Sequence, residues 1–309
     1  MSSLALPPLV VLGPTASGKS DVAMAYAGAT ASTELLAVDA MQVYRRMDIG
    51  TAKPSVGDQL AVRHHGLDLA DPSEDFTVAE FVAHAHEALA DMTARGVRPV
   101  LVAGTGLYLR AITDPMDIPG QWPEVRASLE ARADTEGPDA LHAQLVGLDP
   151  LAASRMEPTN TRRVVRALEV TLGSGRPFSS FGPGLAHYPP VRFVQVGLRW
   201  ERPVLAERIA HRVHLMMQRG LLREVAALLE EPGGLSRTAQ QALGYKELIA
   251  HVRGECSLDE AVDTIIVRTR QFAVRQERWF RRDPRIRWVH IEHDPVAEVL
   301  PVLLSTTTS

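Results

Sequence analysis

The chain has a single cysteine, Cys256, among its 309 residues. One cysteine excludes an internal disulfide and any zinc site built from several cysteines, and it fits a reducing cytoplasm. The sequence also lacks a run of about 18 apolar residues that could cross a membrane, and its first residues lack the basic segment of a signal peptide. A net charge of -4 means that a nucleic acid would have to bind to local basic patches. The histidines show no metal-binding spacing, so we interpret His64 and His65 as packing or loop residues.

Apolar runs alternate with helical patterns over the first third of the chain. Strands are predicted at residues 9–12, 35–38 and 99–103, and helices at 21–29 and 77–95. This alternation is typical of an α/β protein with a parallel sheet, in which ligands bind at the carboxyl ends of the strands.

Prolines and glycines interrupt this pattern after residue 115. Helices follow at 124–133, 139–148 and 160–172, and a strand at 192–198 comes after a second stretch rich in glycine and proline. Helices dominate the rest of the chain, at 202–219, 221–230 and 258–281. We therefore predict a core in two parts, residues 1–116 and 191–309, with a helical insertion at 117–190 and a helical C-terminal part.

Residues 13–20 read GPTASGKS and directly follow the first predicted strand. They match the phosphate-binding pattern G-x-x-x-x-G-K-[ST] in its expected context of strand, glycine-rich turn and helix start. The two glycines let successive N–H groups point at one anion, and the N-terminus of the helix adds positive charge. Lys19 supplies a charge for the terminal phosphate, and Ser20 a hydroxyl for Mg²⁺. We expect the whole of this phosphate loop to bind a diphosphate or a nucleotide: Gly13, Pro14, Thr15, Ala16, Ser17, Gly18, Lys19 and Ser20.

Two further polar side chains follow predicted strands. Asp39 comes just after the second strand, where it could hold a magnesium ion or accept a proton from a nucleophile. The alternative is that Asp39 only caps the turn that follows it. Thr105 lies between Gly104 and Gly106, where its hydroxyl could donate to a phosphate oxygen, and its alternative role is to cap the next helix.

Arg208 and Arg212 are four residues apart on a predicted helix, so both lie on one face beside its apolar stripe. Two guanidinium groups in that position could clamp a leaving diphosphate. The alternative is a solvated helix face.

Arginine is concentrated in two clusters that indicate a polyanionic partner. Arg162, Arg163 and Arg166 fall within two turns of the insertion. A denser cluster follows near the C-terminus: Arg268, Arg270, Arg275, Arg278, Arg281, Arg282, Arg285 and Arg287. Only Glu277 and Asp283 offset the second cluster, and Phe272 with Trp279 predicts an apolar seam on its helix. Arginine suits phosphate forks and base stacking, so we expect RNA here, with a plain solvated face as the alternative.

These motifs resemble those of the tRNA dimethylallyltransferases, the IPP transferase family. The matching segments are collinear and span nearly the whole chain: residues 13–20, 39–44, 47–54, 64–68, 71–74, 104–108, 162–169, 241–247 and 279–282. Segment 47–54, MDIGTAKP, is the most specific, since ordinary phosphate-loop kinases do not carry it.

The resemblance implies a P-loop NTPase-like parallel-sheet core and transfer of a dimethylallyl group from dimethylallyl diphosphate to N6 of an adenosine beside the tRNA anticodon. It implies that Asp39 is the general base, that Thr105 lies at the reacting centre, and that the phosphate loop holds the diphosphate with Mg²⁺. The insertion and the arginine clusters would grip the anticodon stem-loop. Contacts with tRNA are expected from Asp39, Ala40, Met41, Gln42, Thr105, Arg126, Arg162, Arg163, Arg166, Gly244, Tyr245, Lys246, Arg275, Arg278 and Arg282. We expect a cytoplasmic monomer with no membrane partner.

The chain departs from the family pattern at two positions. Ala40 replaces a serine and thereby removes a hydroxyl near the target base, and Thr161 replaces an aspartate. Two other functions stay open on sequence grounds: a small-molecule or nucleotide kinase that uses ATP at the phosphate loop, and a non-catalytic RNA-binding protein whose loop senses a nucleotide.

Overall fold

The structure, a computed structural model, describes residues 6–182 and 184–306. The chain forms two compact units, the first made of Met1–Thr113 with Pro190–Ser309 and the second of Asp114–Pro189. The domain limits expected from composition, 117 and 190, stay a prediction. Among the described residues, no helix is long and apolar enough to cross a membrane.

One parallel sheet forms the centre of the first unit. Within the described residues its strands are β1 (Leu9–Leu12), β2 (Thr33–Val38), β3 (His64–His65), β4 (Arg98–Ala103), β5 (Val194–Trp200) and β6 (Ile286–Ile291). They lie in the order β3-β2-β4-β1-β5-β6, and every neighbouring pair is parallel. The predicted α/β class and the four predicted strands are confirmed.

Two edge strands were not predicted. The strand β3 has only two residues, too few for a periodic pattern, so the expectation that His64 and His65 are plain packing or loop residues missed it. The strand β6 was hidden by its polar residues, because Arg287 and His290 interrupt its apolar residues and Arg287 was counted with the arginines of the preceding helix. As β6 is an edge strand, it can expose both of these side chains.

Helices join and cover the strands. In chain order they are α1 (Lys19–Ala29), α2 (Val56–Ala61), α3 (Val78–Ala94), α4 (Gly106–Thr113), α5 (Pro123–Glu136), α6 (Pro138–Leu148), α7 (Pro150–Ala153), α8 (Thr161–Ser174), α9 (Arg202–Gln218), α10 (Leu221–Glu230), α11 (Tyr245–Val252), α12 (Leu258–Phe280) and α13 (Pro295–Ser305). Their limits follow local signals. The predicted capping box of α3 is present, since Thr77 accepts from Glu80 N and the Glu80 carboxylate accepts from Thr77 N.

Both faces of the sheet are buried. The side chains of Val10 and Leu12 belong to one apolar cluster, and those of Leu9 and Val11 to another on the opposite face. Alternate side chains of a strand point to opposite faces, so a fully apolar β1 identifies a strand covered on both sides. The carboxyl ends of the strands then remain as the open edge where loops can bind ligands.

The second unit is helical, with α5, α6, α7 and α8 around its own core. Leu129, Leu141, Leu145 and Leu168 are almost fully buried in that core. The predicted helix at 160–172 is confirmed as α8, whose first turn is capped by the Asn160 side chain.

Candidate functional site

Three predicted segments meet at the carboxyl edge of the sheet because their strands are neighbours. The phosphate loop follows β1, Asp39 follows β2, and Gly104 follows β4. Backbone hydrogen bonds join the segments: Gly13 N donates to Ala103 O at 3.3 Å, and Gly104 N donates to Val38 O at 3.4 Å. The structure therefore brings the phosphate loop, Asp39 and Thr105 into one site.

Glycine is required at both ends of the phosphate loop. A Cβ on Gly13 would lie 2.9 Å from Ser17 Oγ, and a Cβ on Gly18 would lie 2.5 Å from Pro295 Cγ. Gly18 also has φ 88°, and it precedes α1 without any side-chain cap. Ala16 adopts φ 62° without being glycine, a conformation that costs about 1 kcal/mol or more. The loop is held in a strained shape that suits an anion.

The phosphate-binding pattern predicts that the backbone N–H groups of the whole loop can bind an anion, but some of them are already hydrogen-bonded within the protein. Thr15 N donates to Gln276 Oε1 at 2.9 Å, and Ser17 N donates to Pro14 O at 3.3 Å. The amides of Lys19 and Ser20 open α1, where no intrahelical acceptor exists for them. The anion-binding end of the loop is therefore its C-terminal half.

Lys19 and Arg212 form a repelling pair of cations near this loop. Burial, followed by the charge of Arg212, lowers the pKa of Lys19 to about 8, while Asp39 and Asp21 oppose that shift. Burial likewise lowers the pKa of Arg212, against the same two carboxylates. The Lys19 ammonium lies beside Gly104, since a Cβ there would be 3.6 Å from Nζ. Two partly desolvated cations are a site prepared for a multiply charged anion.

Arg208 has a different place from Arg212. Its Nε donates to Ala16 O at 3.0 Å, and its guanidinium stacks 4.4 Å from the centre of the Trp200 ring. Trp200 Nε1 in turn donates to Ser17 O at 3.0 Å. Arg208 thus supports the phosphate loop by a hydrogen bond to its backbone. Arg212 makes no hydrogen bond or ion pair within the described residues, so its guanidinium is available to a ligand.

Asp39 combines the two roles that the sequence left open. Its Oδ1 accepts from Met41 N at 2.8 Å and from Gln42 N at 3.4 Å, so the turn-capping alternative is confirmed. Its Oδ2 has no hydrogen bond within residues 6–182 and 184–306. One oxygen therefore fixes the carboxylate, and the other is available to a substrate.

Thr105 caps α4 with its backbone, because its carbonyl accepts from Leu109 N at 3.0 Å. Its hydroxyl makes no hydrogen bond in the part of the chain that the structure describes. The next residue, Gly106, lies against the indole of Trp279, which leaves no room for a Cβ. Close packing on one side thus fixes the start of α4 while the Thr105 hydroxyl stays available.

Gln276, which sequence reasoning missed, links two of these segments. Besides accepting from Thr15 N, its side chain donates from Nε2 to Gly104 O at 2.7 Å, and it is 8% exposed. Its partners are 261 and 172 residues away. No local signal marks such a residue, and its place among arginines suggested only a helix face.

Segment 47–54 is held by two charged side chains: Glu224, which the sequence did not single out, and its own Lys53. The Glu224 carboxylate accepts from the backbone N–H groups of Asp48, Ile49 and Gly50 at 2.7–3.1 Å. At the other end, the buried ammonium of Lys53 contacts the carboxylates of Asp48 at 2.5 Å and Asp68 at 2.6 Å.

Gln42 connects this segment to Asp39. Its Nε2 donates to Thr51 O at 3.1 Å and to Ala52 O at 3.2 Å. Its neighbours Ala40 and Met41 are half-buried, as Gln42 is. The side chain of Gln42 is thus engaged by the protein, which qualifies its predicted contact with tRNA.

Tyr245 is placed differently from the prediction that it contacts tRNA. Its side chain has no exposed surface, and its hydroxyl donates to Glu224 Oε1. A buried side chain cannot touch an RNA without moving, so the structure gives Tyr245 a supporting place beside segment 47–54. Gly244 precedes it with φ 91°, and Lys246 is exposed with its Nζ 3.3 Å from Gln241 Oε1.

The helix α12 exposes three of the predicted RNA contacts, Arg275, Arg278 and Arg282 lying on it or just after it. Within the described residues, none of the three forms an ion pair. The two predicted counter-charges are buried and pair with arginines of the cluster: Glu277 lies 4.0 Å from Arg281, and Asp283 lies 2.6 Å from Arg285. Glu277 also lies 3.5 Å from Arg199 and 4.0 Å from Arg202. None of these pairs involves Arg275, Arg278 or Arg282, so their charge remains available to an RNA.

The apolar seam of α12 also differs from the prediction. Ile265, Ile266, Ala273 and Phe280 are buried, whereas Phe272 is only half-buried, with the Arg275 guanidinium 5.9 Å from its ring centre. The buried residues Ile266, Ala273 and Phe280 are themselves seven apart, so the predicted spacing is right but the seam lies one residue further along the helix than Phe272 and Trp279.

In the second unit, the predicted arginines fall into two groups. Arg162 and Arg163 are exposed at the start of α8. Arg166 lies 2.9 Å from Glu169 Oε1 and donates to Pro119 O, and Arg126 is 3.7 Å from Glu169 Oε2. Glu169 is 1% exposed, and a buried carboxylate needs such partners. Arg126 and Arg166 thus have a structural role, which qualifies their expected contact with tRNA.

The described residues contain no group of three or more His, Cys, Asp or Glu side chains able to hold a metal ion. Ser20 is exposed, and its hydroxyl has no partner in the same part of the chain. Mg²⁺ binds commonly through one or two protein oxygens together with substrate phosphates. The residues present therefore fit a magnesium ion that arrives with a diphosphate.

Comparison with known proteins identifies the family. The IPP transferase family model matches residues 42–283. A tRNA dimethylallyltransferase of Geobacter metallireducens is 46% identical over 285 residues, which cover 91% of this chain and 91% of that protein. The solved tRNA isopentenylpyrophosphate transferase of Bacillus halodurans is 35% identical with a TM-score of 0.69, covering 98% of this chain and 97% of that one.

A solved eukaryotic dimethylallyltransferase acting on tRNA is 25% identical with a TM-score of 0.75, covering 92% of this chain and 73% of that one. These names do not support the kinase alternative, and the structural similarity identifies the parallel sheet as P-loop NTPase-like. The chain belongs to the IPP transferase family.

Proposed function

We propose that this protein transfers a dimethylallyl group from dimethylallyl diphosphate to N6 of an adenosine next to the anticodon of tRNA, with release of diphosphate. The proposal rests above all on one observation: the phosphate loop, Asp39 and Thr105 meet at one edge of the sheet and are joined by backbone hydrogen bonds. Family membership supplies the reaction class.

The donor's diphosphate would bind at the C-terminal half of the phosphate loop. A multiply charged anion at this position would meet two backbone N–H groups and two cationic side chains: the amides of Lys19 and Ser20, the Lys19 ammonium and the Arg212 guanidinium. An allylic C–O bond ionises readily, so the main task of the protein is to stabilise the departing diphosphate. Lys19 and Arg212 repel each other in the free protein, and the diphosphate relieves that repulsion.

Mg²⁺, when bound, would supply positive charge that stabilises the diphosphate leaving group. Ser20 is the residue that would hold it. A hydroxyl oxygen is the kind of ligand that this cation accepts.

The acceptor amine would meet the free Oδ2 of Asp39. The lone pair of N6 is delocalised into adenine, so the amine gains nucleophilicity as its proton leaves. N6 forms the new bond to C1 of the dimethylallyl group, the C1–O bond breaks with its electron pair on diphosphate, and the N6 proton passes to Asp39. The Thr105 hydroxyl lies at the same edge, free to contact substrate. Ala40 offers no hydroxyl to the base.

The adenine would have to leave its stack to reach this edge, as in enzymes that act on a flipped base. We propose that the anticodon stem-loop is bound through the exposed arginines, namely Arg162, Arg163, Arg275, Arg278 and Arg282. We further propose that the protein acts as a monomer in the cytoplasm, where unmodified tRNA is available. Light scattering of the purified protein measures its oligomeric state.

Incubation with radiolabelled dimethylallyl diphosphate, Mg²⁺ and unmodified tRNA tests the reaction. We expect label in the tRNA without consumption of ATP. Asp39→Asn should lower kcat by about 1,000-fold, since general-base catalysis contributes up to about 10⁴-fold, while tRNA affinity is kept. Asp263→Asn, an exposed aspartate of α12, is the matched control. Absence of label from tRNA, together with consumption of added ATP by phosphate transfer, would support a kinase instead.

A further inference from the structure

One glutamine side chain bridges two segments of the site, the phosphate loop and the segment that carries Thr105. Gln276 Oε1 accepts from Thr15 N in the phosphate loop at 2.9 Å, and Gln276 Nε2 donates to Gly104 O at 2.7 Å. Gly104 immediately precedes Thr105. Gln276 is nearly buried, at 8% exposure, and its side-chain amide makes one hydrogen bond to each of the two segments.

The helix that carries Gln276 also contacts Gly106, the residue after Thr105. Trp279, one turn further along α12, packs its indole against Gly106. The same stretch of helix exposes Arg275 and Arg278 to solvent. This part of α12 therefore contacts residues on both sides of Thr105, through Gly104 and Gly106.

We propose that Gln276 is a positioning residue for the transfer reaction, and that its bridge sets the distance between the phosphate loop and Thr105. This inference rests on the proposed function, because it concerns the alignment of the same two substrates. It assigns to Gln276 no contact with the reacting atoms.

The polarity of the bridge requires an amide. Thr15 offers a donor and Gly104 an acceptor, so the side chain between them must accept at one end and donate at the other. A glutamate would accept from Thr15 N but would place a carboxylate oxygen against Gly104 O. A methionine has nearly the same length but neither polar group. Each isosteric change therefore removes a different part of the bridge.

The bridge matters because the transfer needs three groups in line. The leaving oxygen of the diphosphate, C1 of the dimethylallyl group and N6 must align, and the first is held by one segment while Thr105 lies on the other. A misplacement of about 1 Å can cost about 100-fold in rate when it disturbs such an alignment. Loss of the bridge leaves the backbone hydrogen bond from Gly13 N to Ala103 O in place, but it lets Thr15 and Gly104 shift relative to each other.

The first test is Gln276→Met, measured by steady-state transfer to tRNA. We expect kcat to fall by about 10- to 100-fold, with KM for tRNA unchanged within about twofold because the exposed arginines are untouched. The affinity for inorganic diphosphate should change little, since Lys19, Arg212 and the first amides of α1 remain. Gln271→Met, an exposed glutamine on the same helix, is the matched control and should behave like the wild type.

The second test is Gln276→Glu followed over pH. An ionised glutamate cannot donate to Gly104 O, and its charge lies close to the diphosphate, so both kcat and diphosphate affinity should fall. A protonated glutamic acid can donate its O–H to Gly104 O and accept from Thr15 N. The ratio of the Gln276→Glu rate to the wild-type rate should therefore rise as pH decreases, whereas the ratio for Gln276→Met should stay flat.

These outcomes separate the inference from the proposed function. If the wild type labels tRNA and Gln276→Met keeps its kcat within about twofold, the positioning role is wrong and the proposed function stands. If the wild type itself transfers nothing, the proposed function fails. Circular dichroism melts check that the variants fold; should the methionine variant be unfolded, a flat pH ratio for Gln276→Glu refutes the positioning role by itself.

Discussion

The hydroxyl of Tyr245, at the start of α11, donates a hydrogen bond to Glu224 Oε1 of α10, and the same carboxylate accepts from three successive backbone N–H groups of residues 48–50. Gly50 has no side chain where the Tyr245 ring lies, and a Cβ there would collide with that ring. The most family-specific segment of the chain is thus held by a residue outside it. Through Gln42, that segment also contacts the turn that carries Asp39.

Removing this carboxylate should destabilise the protein. Glu224→Ala leaves three backbone donors and one hydroxyl without their acceptor, so we expect the free energy of unfolding to fall by about 3 kcal/mol. Tyr245→Phe removes one neutral donor and should cost about 1 kcal/mol. Urea denaturation measures both, with Glu230→Gln, an exposed glutamate of α10, as the control.

The two effects should be coupled. Once Glu224 is alanine, the hydroxyl of Tyr245 has lost its acceptor, so the further change Tyr245→Phe should cost almost nothing. Additive costs in this double-mutant cycle would contradict the shared hydrogen bond.

Binding of diphosphate should depend on the charge of Lys19. Its pKa of about 8 means that the ammonium is present at pH 7 and is lost from the free protein as pH rises above 8. Diphosphate itself titrates, so the informative quantity is the Kd of Lys19→Met divided by the Kd of the wild type. We expect this ratio to be about 100 at pH 7, equal to about 2.7 kcal/mol, and to fall as pH increases. Calorimetric titrations from pH 7 to pH 9.5 measure it, and a constant ratio would contradict the shifted pKa.

The same residue should make the ligand-free protein less stable. The pKa of Lys19 lies below its usual value of 10.5 in the folded protein, so the unfolded chain binds more protons between pH 8 and pH 10.5. The contribution of Lys19 to the free energy of unfolding therefore rises with pH in that window. Lys19→Met should raise the thermal midpoint at pH 7 in the absence of diphosphate, and the increase should shrink toward pH 10.

The parts of the site that the sequence predicts well are those with local causes. The phosphate loop is fixed by its glycines and by the strand before it, and the start of α3 by the box between Thr77 and Glu80. The parallel sheet could also be inferred, because apolar runs alternate with helical patterns over the first third of the chain. The phosphate loop and the start of α3 are each decided within a few residues of the chain.

What the sequence did not predict depends on contacts between distant segments. Gln276 and Glu224 carry no local pattern, and their partners lie 261 and about 175 residues away. Residue type alone also misleads about burial. Tyr245 and Glu277 are of types often found at the surface, but both are buried here. Packing at this range follows from the fold and cannot be inferred from spacing.

The free energy of unfolding should decrease at low pH because of Glu34. Hydrogen bonds from Arg95, opposed by burial and helped by His65, lower the pKa of Glu34 to about 2. A depressed carboxylate pKa stabilises the fold fully above its unfolded value near 4.5, and that contribution is lost as pH falls toward 2. Glu34→Gln should cost about 2 kcal/mol at pH 6, allowing for solvent screening at the half-exposed Arg95. The cost should fall to about half by pH 3.

Urea denaturation at pH 6 and pH 3 measures the destabilisation by Glu34→Gln, with the exposed residue change Glu87→Gln as the control. If the destabilisation did not depend on pH, the charge of Glu34 would be excluded as its origin.

The salt dependence of tRNA binding should show whether the exposed arginines contact phosphates. Arg278 and Arg282 lack ion pairs within the described residues, and Glu277 beside them is buried, so their charge is available to phosphates. Each phosphate contact that is lost should reduce the slope of log Kd against log salt concentration by about 0.7–0.9. Arg278→Ala and Arg282→Ala should each show this reduction, and the double variant twice as much. Arg253→Ala, an exposed arginine after α11, should leave the slope unchanged. A weaker affinity with an unaltered slope would mean that these arginines act on the RNA through base stacking, because only neutralised phosphates release counterions.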